Sequence, residues 1–125
     1  MNKISKGQME AQISEAIIKF EKEYMGRGPI ETKTYIINDM VLVRLKGVLT
    51  PAEEQLVKSA VGADLIKQTR VQLLEGARIL LEKIILDITD YHLKSLHSDI
   101  STKTGERVII FTLENNLEDK LNGET

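Results

Sequence analysis

The stretch "HSDISTKTGE", His97 to Glu106, contains the side chains best suited to chemistry. On a strand, His97 and Asp99 lie two residues apart and point to one face, and Glu106 could approach them across a hairpin. Such a trio could act as a general acid–base pair or as a weak His/carboxylate metal site. No clear nucleophile accompanies it, and His92 is the only other histidine. The competing reading is a polar pair at a turn, because Asp and Ser often close turns with local hydrogen bonds. The residues favour the turn.

Cations suggest a second kind of chemistry. In "GRGP", Gly26, Arg27 and Gly28 offer amides and charge to a phosphate. A phosphate loop, however, follows a strand and opens a helix, whereas these glycines close one. Helix termination by glycine and proline is the stronger reading. Lys67, Arg70 and Arg78 fall along one broad side of a helical stretch, where Arg70 and Arg78 could contact anions or a nucleic-acid backbone. Glu75 and Glu82 lie among them, so a solvated helix face is the default expectation. Two phenylalanines, three tyrosines and no tryptophan leave few rings for stacking on RNA bases. Binding of nucleic acid is not expected.

These residues need elements to position them. Met9, Ile13, Ile17, Phe20 and Tyr24 fall at helical steps, predicting a first helix from about Lys6 to Met25 that "GRGP" ends. "ETKTYIINDMVLVRLKG" predicts two strands joined at Asn38-Asp39, with Ile37 opposite Met40, Ile36 opposite Val41 and Tyr35 opposite Leu42. Ile36, Val41, Val43 and Leu45 then line one face, and Tyr35, Ile37, Met40 and Leu42 the other. Thr50, Pro51 and Glu53 form a strong helix start with a capping box. Gly62 is expected to interrupt that short helix. A single long helix from about Ala63 to Thr89 follows, its stripe formed by Ile66, Leu73, Ala77, Leu80, Ile84 and Ile88 and widened by Leu74, Leu81 and Ile85. Gly76 inside it suggests close packing. "HLKSLHSDIST" and "RVIIFTL" predict a second hairpin whose turn uses Gly105 at positive φ.

The reading is therefore one α+β domain over residues 1–117 in α-β-β-α-β-β order, with a polar tail over 118–125. A four-stranded, mainly antiparallel sheet should pack against the long helix. The chain of 125 residues is long enough for a real core, and its formal charge of −2 gives no global attraction for nucleic acid or anionic lipid. The absence of cysteine removes disulfides, thiol catalysis and cysteine-based zinc sites. No apolar run approaches the roughly 20 residues that span a bilayer, and no signal peptide is apparent. A cytoplasmic location without direct membrane insertion is expected.

"AIIKFEKEYMGRGP", "MVLVRLKGVLTPAE" and "LHSDISTKTGERVIIFTL" resemble a bacterial domain. It is named for the C component of a sodium-translocating, membrane-potential-generating system, and is called MpsC-like here. The resemblance runs from about Lys6 to Leu117. It implies an association with a membrane ion or inorganic-carbon transport system, and it transfers no catalytic residue to any position in this chain.

The leading expectation is a non-enzymatic accessory or regulatory protein working by protein–protein contact. Its partner would be a membrane transport-system protein, and no cofactor is expected. The alternatives are a small-ligand or metal-binding enzyme using His97, Asp99 and Glu106, and a nucleic-acid module using Arg27, Arg70 and Arg78. Both strand pairs are apolar on two sides, which a sheet covered on one side only does not require. Symmetric self-association would bury the surplus. A homodimer with Tyr35, Ile37 and Leu42, or the opposite face of the same hairpin, in its interface is expected, with Arg44 and Lys46 at the rim.

Overall fold

A computed structural model describes residues 4–123. Its elements run α1 (Lys6–Tyr24), β1 (Glu31–Ile37), β2 (Met40–Lys46), α2 (Pro51–Leu56), α3 (Ala60–Gly76), α4 (Arg78–Thr89), β3 (Leu93–Ile100), β4 (Arg107–Leu113) and α5 (Leu117–Leu121). The fold is α+β, with one antiparallel sheet in the order β1-β2-β4-β3.

The first hairpin has the expected register: Ile37 meets Met40, Ile36 meets Val41 and Tyr35 meets Leu42. Asn38 takes φ 55° at the turn, a conformation that asparagine tolerates. Alternation sends Ile36, Val41, Val43 and Leu45 inward, where all four are fully buried. Ile109, Phe111 and Leu113 of β4 join them. Helices cover this face: α1 lies on β1 and against α4, while α3 and α4 contact β3. Tyr35, Ile37, Met40, Leu42, Val108 and Ile110 point away from the helices, on the other face.

Local chemistry explains the ends of α1. Ser5 and Gln8 form a reciprocal capping box at its start. At its end Gly26 adopts φ 91°, and the Arg27 amide donates to the Glu21 carbonyl.

The region expected to hold one long helix departs from the reading in four ways. It is two helices, broken at Ala77, whose φ −94° and ψ 7° leave the α region. The earlier break falls at residues 57–59, where Ser59 caps α3, and Gly62 lies inside α3. Gly62 is there for contact: a Cβ would overlap the Leu56 carbonyl oxygen at the end of α2. Gly76 is not closely packed, since a Cβ there would meet only the Tyr24 hydroxyl, 3.9 Å away. The buried stripe is also rotated, to Ile66, Arg70, Leu74, Ala77, Leu81 and Ile85, leaving Leu73 and Leu80 exposed. Finally, residues beyond the second hairpin form α5, which inserts Leu117 into the core.

Candidate functional site

His97, Asp99 and Glu106 all lie on the outer side of the second hairpin, and the structure sets His97 apart from the two carboxylates. Asp99 Oδ1 is 3.3 Å from Lys67 Nζ and accepts a 2.8 Å hydrogen bond from the Ile100 amide. That amide and Lys67 hold the Asp99 carboxyl below its ordinary range. Glu106 turns the other way and accepts a 2.7 Å hydrogen bond from Arg44 Nε on β2. Asp99 and Glu106 border one shallow groove with Lys67 and Lys103, whereas His97 borders another with Glu75 and Arg78. Among the described residues no group of three His, Asp or Glu could hold a metal ion.

The candidate anion contacts are dispersed as well. Arg27 Nη1 donates to the Leu49 carbonyl at 3.0 Å, and exposed Arg78 lies 3.9 Å from Glu82. Arg70, expected on a solvated face, is only 1 % exposed. It donates to both oxygens of Glu53 and to the Val48 carbonyl.

Arg70 belongs to a buried ionic cluster that sequence reasoning missed. Glu21 of α1 lies 3.3 Å from Arg107 of β4 and 3.9 Å from Arg70 of α3, and Glu53 of α2 closes the group. Arg107 also donates to the Arg70 carbonyl at 3.2 Å. Two guanidiniums and two carboxylates cancel in charge and join four elements below one end of the sheet. Burial pushes Glu21 up from its ordinary value, against the pull of Arg107 and Arg70, and pushes Arg107 down. Burial alone would raise Glu53 too, but the bonds from Arg70 and Thr50 outweigh it and hold that carboxyl low.

A readable signal existed. Glu21 continues the Met9–Ile13–Ile17 steps of four, and Arg70 sits four residues from both Ile66 and Leu74. Arg107 alternates with Ile109, Phe111 and Leu113. Charges in phase with an apolar stripe are buried with partners or are functional. The five main surface grooves are lined by other residues, and the cluster's burial among four elements suits cross-linking of the fold.

Besides single exposed side chains such as Val61 and Ile79, two apolar regions stand out on the surface of the described residues. Between α1 and α4 runs a groove of about 460 Å³, lined by Phe20, Tyr24, Leu80, Ile84 and Ile88 with Lys19, Glu23 and Asp87 at its borders. Phe20 and Tyr24 stack, with ring centroids 5.2 Å apart, and so form one wall of it. Tyr24 and Leu80 are each 43 % exposed. The second region is the outer sheet face, where Tyr35 and Ile37 are 41 % and 42 % exposed.

Comparison with known proteins adds the family. Residues 5–115 match the family described as "Na+-translocating membrane potential-generating system (MpsC)". The chain belongs to the MpsC family. It is 50 % identical over 119 residues to "Uncharacterized protein YbcI" of Bacillus subtilis (strain 168), covering 95 % of this chain and 96 % of that relative. No solved structure matches. Among the described residues, no helix is long and apolar enough to cross a membrane.

Proposed function

We propose that this protein is a non-enzymatic accessory or regulatory subunit, cytoplasmic and homodimeric, that acts by docking onto a membrane ion-transport protein. The observation that carries the reading is the α1–α4 groove, an apolar trough between two helices with charges only at its borders. A groove of this form suits the apolar face of an amphipathic helix, which would supply anchors at helical spacing. The family description, with its sodium-translocating system, supports a transport protein as the source of that helix. The placement of His97 in a different groove, with Asp99 and Glu106 each held by a cation, supports binding over catalysis.

Capture from cross-linked cells, with membranes solubilised, tests this. The wild-type chain should bring down an integral membrane ion-transport protein, and a Leu80→Glu variant should not. Leu80 is exposed, so the variant should keep its fold, and circular dichroism checks that. Recovery of soluble metabolic enzymes alone would overturn the transport reading.

A further inference from the structure

The outer sheet face has a charge pattern that points to its occupant. Its register across the four strands places Tyr35, Leu42, Ile110 and His97 in one row, and Lys33, Arg44, Val108 and Asp99 in the next. The β1–β2 half carries three cations, Lys33, Arg44 and Lys46, against one carboxylate, Glu31. The β3–β4 half carries Asp99 and Glu106 near the same end, with Lys67 and Lys103 beside them and Lys94 beside the bulge at the far end. The strands of one half thus carry the cations and those of the other the two carboxylates, with apolar side chains from β1, β2 and β4 between them.

We propose that this face binds a second copy of itself about a twofold axis parallel to the strands. Rotation about that axis lays β1 of one copy over β3 of the other, and β2 over β4. Strand cations then meet strand carboxylates: Lys33 faces Asp99 of the second copy, Leu42 faces Ile110, and Tyr35 faces His97. A twofold axis across the strands would instead place β1 on β1, with Ile37 over Lys33 and Met40 over Arg44, burying cations against apolar groups without partners. Opposite charges that meet in one orientation and not the other fix the register of an interface. Among the described residues Lys33 has no ion pair within its own chain, while Asp99 shares Lys67. An isologous contact of this kind closes as a dimer.

The inference rests on the homodimer reading, and its two parts are tested separately. Light scattering coupled to size exclusion gives the mass, and a monomer at micromolar concentration would overturn the whole proposal. If the mass is that of a dimer, Leu42→Arg should weaken it about a hundredfold or more by burying an unpaired charge. Ile110→Glu provides the same measurement should Leu42→Arg fail to fold. A dimer that survives both in folded protein places the interface elsewhere and overturns the assignment.

The axis is read by thiol cross-linking, which the absence of native cysteine makes clean. Lys33 and Asp99 of one chain are three strand spacings apart, about 14 Å, whereas facing sheets pack about 10 Å apart. A Lys33→Cys, Asp99→Cys double variant should therefore be joined into a linked dimer by a bis-maleimide of about 10 Å reach, with each single variant far slower. Fast self-linkage of a Tyr35→Cys variant alone by the same reagent would show β1 over β1 and exclude the strand-parallel axis. Lys33→Asp should weaken the dimer, and adding Asp99→Lys should restore it. Absence of that rescue in folded protein would also count against the register.

Discussion

Arg107 is the side chain whose loss the fold should tolerate least. It is buried at the start of β4, donates to Glu21 and to the Arg70 carbonyl, and leaves Glu21 without its nearer cation if removed. Breaking one partner of a buried ion pair costs about 3–5 kcal/mol, because the remaining charge stays out of water. Arg107→Met should destabilise by that order in a denaturant titration. Combining it with Glu21→Leu should cost less than the two single effects added together, and strict additivity would show that the two side chains are not coupled. The same cluster sets part of the pH dependence, with opposite signs at its two carboxylates. Glu53 has a depressed folded value, so its stabilisation is present above the ordinary carboxylate value and is lost as pH falls through the folded one. Glu21 has a raised folded value, so the folded state gains its proton first and stability from this group falls as pH rises through that window. Glu53→Gln should flatten the acid limb of stability against pH, and Glu21→Gln should not. An unchanged acid limb in Glu53→Gln would show that the carboxylate contributes no proton linkage there.

Two glycines of α3 make opposite predictions at the scale of elements. Gly62 lets the end of α2 approach α3, and an added methyl would overlap the Leu56 carbonyl. Gly62→Ala should destabilise by about 1–3 kcal/mol, in the range of overpacked sites. Gly76 stands at the end of α3 in open space without positive φ, so Gly76→Ala should stabilise by about 0.4–1 kcal/mol by restricting the unfolded chain. Thermal unfolding of the two variants would show midpoints moving in opposite directions, and a shared direction would refute the contact argument. The hairpins and the α1 stop were legible because each rests on local chemistry: a turn pair, strict alternation, a glycine at positive φ. The break at Ala77 was not, since "EGARIL" contains no proline and its periodicity continues through. The stripe of α3 and α4 was misplaced for a related reason. Leu73, Leu80 and Ile84 look like core by type, while the side chain the fold buries between Ile66 and Leu74 is Arg70. Counting apolar residues cannot find a buried guanidinium whose carboxylates come from two other helices. Nor could spacing alone show that Asp99 and Glu106 would turn to different cations.

For the molecule as a whole, one face of the sheet is closed by helices and the other is left to the surroundings. The two uncovered regions lie on different sides of the layers: the α1–α4 groove on the helical side and the apolar sheet face opposite. A dimer through the sheet would therefore leave both grooves open and directed outward, so one dimer could hold two transport-protein helices at once. Binding of such a helix to the dimer, followed by calorimetry, should saturate at one helix per chain. Saturation at one helix per dimer would place the two regions in competition and contradict this separation.

The meeting of α1 and α5 bears on where the chain could be cut. Lys6 Nζ lies 2.6 Å from Glu118 Oε2, and the Asn38 amide donates to the other oxygen of Glu118, so the first and last helices are fastened together at the tip of the first hairpin. Helices that meet this way, α1 at Lys6 and α5 at Glu118, can be joined by a short flexible linker without pulling on the core. The exposed turn at Lys103 and Thr104 then becomes a natural place to open the chain. A circular permutant starting at Thr104 would begin with β4, the strand that pairs with both β2 and β3, and bring it to the head of the polypeptide. Its thermal unfolding should match the parent's in shape and remain a single transition if the parent's is single, because every contact of the sheet survives the change in connectivity.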